Sequence, residues 1–118
     1  MESHPVTKML GNMLGRYPRS AGALFQVFND LLLAQRWQNL RAIDLANVER
    51  VVVCGRQPGS DQEVYVVPCS LAEPLPLSIF HLVFQSLSQV ATIHLGIVGN
   101  DSSVVYYKLS SDIVKPPM

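Results

Sequence analysis

Three side chains in the second half of the chain could carry out acid–base chemistry. His81, His94 and Lys108 are residue types that a metal-free ribonuclease can use to move protons. Nothing in their spacing forces them together, and the sequence has no Gly-rich phosphate loop, G-x-S-x-G, H-E-x-x-H or C-x-x-C motif. The residues alone therefore leave open both an RNA endonuclease that uses this set and a domain without catalytic chemistry.

The two cysteines do not indicate a metal or disulfide site. Cys54 and Cys69 each lie inside an apolar, strand-like run. Two cysteines form neither a zinc site nor a disulfide framework, so we predict free buried thiols in a reducing compartment. No cofactor is expected.

Composition limits the function classes that fit the sequence. The 118 residues suit a single domain, 1–118. Hydrophobic residues make up 48%, charged residues only 15%, and the formal net charge is zero. A neutral chain lacks the basic excess of an autonomous nucleic-acid binder, and sparse charge favours buried interfaces. No apolar run approaches the ~18 residues of a membrane span, and the N-terminus does not resemble a signal peptide. We expect a soluble intracellular protein without membrane insertion.

Apolar residues at helical spacing predict three helices. Ser20 and Ser78 could each cap one of these helices, because the serine hydroxyl oxygen can accept a hydrogen bond from a backbone N–H that has no partner within the helix. The predicted helices lie within residues 1–19 before Pro18, over 21–37, and from Ser78 to about Gln89.

Four β-type runs accompany these helices. Pro68 limits strand pairing on one side of the run 63–71, which indicates an edge strand or a strand end. The stretch Asn39–Asn47 is interpreted as a connection. The runs are Val48–Cys54, Glu63–Leu71, Ile93–Val98 and Val104–Leu109. The order α-α-β-β-α-β-β predicts an α+β fold with a mostly antiparallel or mixed sheet of about four strands and one crossing helix.

The last two runs form a hairpin around the polar turn 99–103, whose Gly, Asn, Asp and Ser residues are typical of turns. The final strand is apolar on both faces. One face carries Val104 and Tyr106, and the other carries Val105, Tyr107 and Leu109. Such a strand is either central in its sheet or covered by something else, and a partner protein is one candidate for the cover.

This hairpin resembles the C-terminal signature of the tRNA-splicing endonuclease family, and within it the small non-catalytic subunit of the eukaryotic heterotetramer. The matching segment is Leu95-Gly-Ile-Val-Gly-Asn-Asp-Ser-Ser-Val-Val-Tyr-Tyr-Lys-Leu109, followed by Ile113-Val-Lys-Pro-Pro. A looser match is His4-Pro5 followed by an apolar helix that ends at Trp37. The resemblance implies a tRNA-intron endonuclease-like fold.

Catalytic members of that family use a Tyr, a His and a Lys, without metal. Their Tyr ends the strand before the second helix, their His opens that helix, and their Lys precedes the first hairpin strand. The corresponding places here are near Val67, at Ser78, and near Ala91-Thr92. The triad is missing, so the resemblance implies a structural subunit that is itself not an enzyme.

The resemblance also implies how partners bind. Subunits of the family pair their last strands edge to edge, and an acidic loop of the structural subunit inserts into a basic cleft of a catalytic subunit. Asp101 lies where that loop is expected, although it could equally be a solvated turn residue. The expected partner-binding residues are Asp101, Val104, Val105, Tyr106, Tyr107 and Leu109.

The implied partners are the catalytic and structural subunits of the heterotetramer, with precursor tRNA contacted through the complex and a homodimer when the chain is alone. The implied location is the nucleus, with the cytoplasmic surface of mitochondria as the alternative. An unrelated homodimeric interaction module that shares only the hairpin pattern is a further alternative.

Overall fold

The computed structural model describes residues 15, 17–73, 75–87, 90 and 92–110. The helix predicted before Pro18 and the tail 111–118 lie outside the described residues, apart from Gly15 and Tyr17. The elements are helix α1 (Pro18–Asn29), a π-helical turn (Asp30–Ala34), strand β1 (Gln38–Leu45), a 3₁₀ turn (Ala46–Val48), β2 (Arg50–Arg56), β3 (Glu63–Ser70), helix α2 (Leu77–Leu87), β4 (Thr92–Val98) and β5 (Val104–Ser110).

The strands form one mixed sheet in the order β1-β2-β3-β4-β5. The pairs β1–β2, β2–β3 and β4–β5 are antiparallel, and β3–β4 is parallel. Parallel neighbours need a crossover connection, and α2 lies in the connection between β3 and β4. The predicted α+β class with one crossing helix is confirmed, with one more strand than expected.

The additional strand, β1, was assigned to a connection, and that prediction was wrong. Apolar and polar residues do not alternate strictly along this strand, because apolar side chains are needed on both of its faces. Leu40 and Ala42 pack with the cluster that includes α1, whereas Ile43 and Leu45 pack with the cluster that includes α2. A strand covered on both faces shows no period of two, and a register shift before Arg41 disturbs the pattern further.

Both predicted serine caps were also wrong. Helix α1 begins at Pro18, whose fixed φ and missing N–H suit the first helical position, and Tyr17 is its N-cap. Ser20 lies inside the first turn, where its Oγ donates a hydrogen bond to the Tyr17 carbonyl at 3.3 Å. Ser78 likewise lies within α2.

The predicted end of the first helix changes as well. The helical path continues through the π-helical turn and stops at Ala34, two residues before Arg36 adopts a left-handed φ of 58°. Trp37 lies beyond the helix and is buried in the core, and its N–H donates to the Leu31 carbonyl at 2.8 Å.

Apolar side chains cover both faces of the central strands. Val51, Val53 and Val66 contact a cluster with Leu24, Val27, Phe28 and Leu31 of the α1 side. Val52, Val67 and Ile93 contact Phe80, Val83 and Phe84 of α2. The sheet is therefore the middle of three layers, with α1 on one face and α2 on the other.

Pro68 lies in a central strand rather than at the edge of the sheet. The β2–β3 ladder, however, ends at the pair Val53–Val66, before the proline, and only β4 continues beside it. The Arg50 side chain then donates to the Pro68 carbonyl at 2.8 Å. The expected loss of pairing on one side is thus confirmed, and a buried arginine hydrogen-bonds the carbonyl that has no strand partner there.

Candidate partner-binding surface

Strand β5 is an edge of the sheet. It pairs with β4 over seven consecutive residues, from Val98–Val104 to Thr92–Ser110, without a bulge. Among the described residues, no strand pairs with its other side. A long regular edge presents unpaired N–H and C=O groups and is a template for another strand. Among the described residues, β5 therefore presents a regular edge without a bulge that would hinder a further strand.

The two faces of β5 differ in what covers them. Val104 and Tyr106 are half-buried against the cluster that includes α1. On the opposite face Val105 and Tyr107 are 50% and 53% exposed, whereas Leu109 is half-buried against the α2 cluster. The strand is therefore neither central nor completely covered: this chain covers one face, and part of the other is open.

Tyr106 fixes β5 to the π-helical turn. Its hydroxyl donates a 2.6 Å hydrogen bond to Oδ2 of Asp30. Burial, followed by this carboxylate, raises the pKa of Tyr106. The side chain also lies above Gly96, where an added Cβ would come within 3.2 Å of the tyrosine ring. The inward face of β5 is consequently held in a defined position relative to α1.

The 99–103 turn presents Asp101 to solvent in a fixed conformation. Ser103 donates two hydrogen bonds to Asp101 Oδ1, from its N–H at 3.1 Å and from its hydroxyl at 2.7 Å. The Gly99 N–H donates to the Ser103 carbonyl at 2.9 Å, and Ser102 adopts a φ of 69°. The Ser103 hydrogen bonds lower the pKa of Asp101. The turn therefore holds an ionised carboxylate at its exposed tip.

The three residues of the endonuclease alternative do not converge. His94 and Lys108 are cross-strand neighbours in β4 and β5. They lie on the face toward α1, because Gly96, two residues after His94 and hence on the same face of β4, lies against Val27 of α1. His81 is in α2, on the opposite side of the sheet. Burial and the Lys108 charge lower the pKa of His94, which favours a neutral imidazole. The sheet separates His81 from the other two groups.

The family's triad positions can be located on the described elements. Strand β3 ends at Ser70 rather than at Val67, and the turn continues with Leu71. Ser78 is exposed in the first turn of α2, and Thr92 begins β4. None of these positions carries a Tyr, His or Lys.

Cys54 and Cys69 are free and buried, as predicted from the sequence. Burial raises the pKa of each thiol. The Arg41 side chain donates to the Cys54 sulfur at 3.0 Å and to Glu63 at 2.9 Å. This cluster was not predicted, because the sequence pattern placed Arg41 in a connection rather than in β1. In the described ranges, no group of three His, Cys, Asp or Glu side chains could hold a metal ion.

Leu71 and Ile97, which are not among the predicted site residues, extend the open apolar face beyond β5. Leu71 is 66% exposed. A backbone hydrogen bond from its N–H to the Val98 carbonyl, 2.8 Å long, places it beside the 99–103 turn. The contact joins two regions distant in sequence, and only the parallel β3–β4 ladder reveals it. No helix among the described residues is long and apolar enough to span a membrane.

The described residues thus form a three-layer α+β fold with an edge strand that is open to a further strand. The family described as Sen15 protein matches residues 26–118. A Schizosaccharomyces pombe protein named "Probable tRNA-splicing endonuclease subunit sen15" is 30% identical over an alignment of 117 residues, which covers 80% of this chain and 81% of the yeast protein. The chain belongs to the Sen15 family, and the resemblance carried by the hairpin is confirmed.

Proposed function

We propose that the chain is a non-catalytic structural subunit of a tRNA-splicing endonuclease, the complex that removes introns from precursor tRNA. Family membership and the printed name of the yeast relative support the complex. The observation that supports a structural role is the open edge of β5, whose exposed face is apolar. In this proposal the chain contacts precursor tRNA through the complex, and the complex works in the nucleus.

Strand β5 pairs with the last strand of a neighbouring subunit. Main-chain hydrogen bonds extend the sheet, and side chains of the added strand lie beside Val105 and Tyr107 on the same face. The inward residues Val104 and Tyr106 support this edge rather than contact the partner, because they pack toward α1. Leu109 supports it similarly from the α2 side. Among the six expected partner-binding residues, the exposed three are therefore assigned the direct contacts.

Asp101 contacts a basic cleft of a different subunit when two such pairs form the heterotetramer. Its ionised carboxylate can accept charge-assisted hydrogen bonds from Arg or Lys. Asp101→Ala should leave the fold and the β5-paired dimer intact and weaken only the larger assembly. Native mass spectrometry of both complexes measures this difference, and an undiminished tetramer would make Asp101 a turn residue only.

The chain by itself does not cleave RNA in this proposal. The triad positions lack the required groups, and the sheet separates His81 from His94 and Lys108. The test is reconstitution from purified subunits. The chain alone should leave precursor tRNA intact, and the other endonuclease subunits should assemble and cleave poorly without it. Metal-independent cleavage by the isolated chain that His81→Ala abolishes would overturn the non-catalytic role.

A homodimer is the second candidate, favoured by the same free edge, because β5 of two copies could pair with each other. Mixing the chain with the other subunits separates the two functions. A structural subunit should exchange its homodimer for the heteromeric complex, whereas an independent homodimeric module should ignore the endonuclease subunits.

A further inference from the structure

The face of the sheet that carries α2 is only partly covered by that helix. Ile93, at the covered end of β4, is completely buried against Phe80 and Val83. The same face of β4 and β5 continues past the helix toward the 99–103 turn. There it forms a groove of about 350 Å³ lined by Leu71, Ile97, Gly99, Asn100, Asp101, Ser103, Val105 and Tyr107, which we name the turn groove.

Backbone hydrogen bonds, rather than side-chain packing, fix the positions of the apolar residues Leu71, Ile97 and Val105 in this groove. Leu71 is fixed by its hydrogen bond to the Val98 carbonyl and remains two-thirds exposed. Ile97 and Val105 are direct cross-strand partners, so their side chains lie next to each other on the floor. Contiguous exposed apolar groups of this kind mark interaction sites, whereas single exposed apolar residues are ordinary.

The rim of the turn groove carries one ionised group, Asp101. Both hydrogen bonds that hold its carboxylate are accepted by Oδ1, so Oδ2 retains acceptor capacity. An apolar floor beside a single carboxylate is complementary to an apolar side chain whose neighbour is a cation. An acidic or purely apolar segment would leave the carboxylate unmatched.

We propose that the turn groove binds an apolar side chain of a partner subunit, in a segment where an adjacent Lys or Arg contacts Asp101. The inference rests on the proposed function, because it requires the chain to be a subunit. It is distinct from strand addition at β5, which uses main-chain groups in the plane of the sheet. The turn groove lies on the face of the sheet, so a second segment can occupy it at the same time.

Leu71→Ser tests the apolar contact without touching β5. Leu33→Ser is the matched control, because Leu33 is a leucine of similar exposure, 53%, that does not line the turn groove. Affinity is measured between the full chain and the co-purified remaining endonuclease subunits at low and high salt. Leu71→Ser should weaken binding on the order of tenfold with unchanged salt dependence. Asp101→Asn should weaken it and flatten the salt dependence, and Leu33→Ser should have no effect.

Two further variants separate a lost contact from a disturbed fold. Leu71→Met keeps an apolar side chain and should bind as the wild type does. Val105→Thr preserves the branched shape of a strand residue while adding a hydroxyl to the floor, and it should weaken binding as Leu71→Ser does. Circular dichroism of each variant checks the fold.

Wild-type binding in Leu71→Ser or Val105→Thr would overturn the turn groove and leave the proposed function intact. A Leu71→Met variant as weak as Leu71→Ser would also overturn it, because an apolar side chain would then not suffice. Self-association of the chain alone that Leu71→Ser abolishes would assign the groove to a second copy and likewise overturn the proposal. Among these binding outcomes, only a wild-type chain that binds no endonuclease subunit would contradict the proposed function itself.

Discussion

The two edges of the sheet are built in opposite ways. Edge strand β1 has a register shift before Arg41, left-handed backbone at Asn39, and charged residues Arg41 and Asp44. Edge strand β5 pairs without interruption, carries a single charged residue, Lys108, and exposes Val105 and Tyr107. Bulges and charges hinder a further strand from joining a sheet. The described part of the molecule thus protects one edge and leaves the other available to a further strand.

The interior explains why β5 remains regular while one face is open. Tyr106 anchors the strand to Asp30, and Gly96 lets the tyrosine ring approach the sheet closely. The strand therefore does not require a partner to remain in register. A preformed edge also lowers the ordering cost when a partner strand binds.

The largest expected effect comes from placing a charge on the open edge. Val105→Asp should weaken partner binding by on the order of 2–5 kcal/mol, because the carboxylate would be buried in the interface without a matched cation. Asn39→Asp is the control on the protected edge and should leave binding unchanged. Calorimetric titration with the partner subunits measures both. Equal losses at the two edges would contradict the asymmetry.

Gly96→Ala tests the close approach beneath β5. The new Cβ would meet methyl groups of Val27 and Val66 at 3.1 Å and the Tyr106 ring at 3.2 Å. Such overpacking should lower the free energy of unfolding by about 1–3 kcal/mol. Urea denaturation measures the change, and Gly22→Ala, in an open position of α1, is the control. A Gly96→Ala protein of wild-type stability would show that the layers are not tightly packed there.

A smaller effect is expected from Tyr106→Phe, which removes the hydrogen bond to Asp30. The free energy of unfolding should fall by about 1–2 kcal/mol, since a partly buried carboxylate loses a donor. Tyr107→Phe is the matched control, because Tyr107 is exposed on the other face. If both variants lose the same stability, the hydrogen bond does not anchor β5.

The same anchor predicts an alkaline pH dependence. The raised pKa of Tyr106 in the folded state means that its contribution is complete below the ordinary tyrosine pKa of about 10 and is lost as pH rises further. Stability measured by urea denaturation should therefore fall more steeply above this pH in the wild type than in Tyr106→Phe.

The smallest effect concerns the turn. Ser103→Ala removes the hydroxyl donor to Asp101, so the pKa of this carboxyl should rise toward its ordinary value of 3.8. A lowered pKa favours the folded state above the unfolded pKa, and that contribution disappears as pH falls through the folded value. NMR titration of Asp101 measures the shift, with Ser102→Ala as the control. An unchanged Asp101 pKa would mean that the Ser103 N–H alone sets it.

Sequence patterns predicted the elements that are strongly periodic or bounded by turn residues. The two main helices, the hairpin and the 63–71 strand were all located. The ends of these strands moved by one residue, and the helix ends moved by up to three when the π-helical turn is counted with the first helix. Strand β1 was missed because it is covered on both faces and interrupted by a register shift. Both cap predictions failed because Pro18 can begin a helix by itself and Ser78 lies one residue inside α2.

The sequence alone determined the apolar character of Val104–Leu109, the polar turn that carries Asp101, and the family resemblance. These depend on residue types that are adjacent in the chain. Only the tertiary structure decided that β5 is an edge, that its Val104 and Tyr106 side is anchored, and that Leu71 joins the turn groove. Such features depend on the order of strands and on contacts between residues far apart in the chain, such as Tyr106 and Asp30, which are 76 positions apart. Local periodicity carries no information about which strands become neighbours, because packing of the whole chain sets that order.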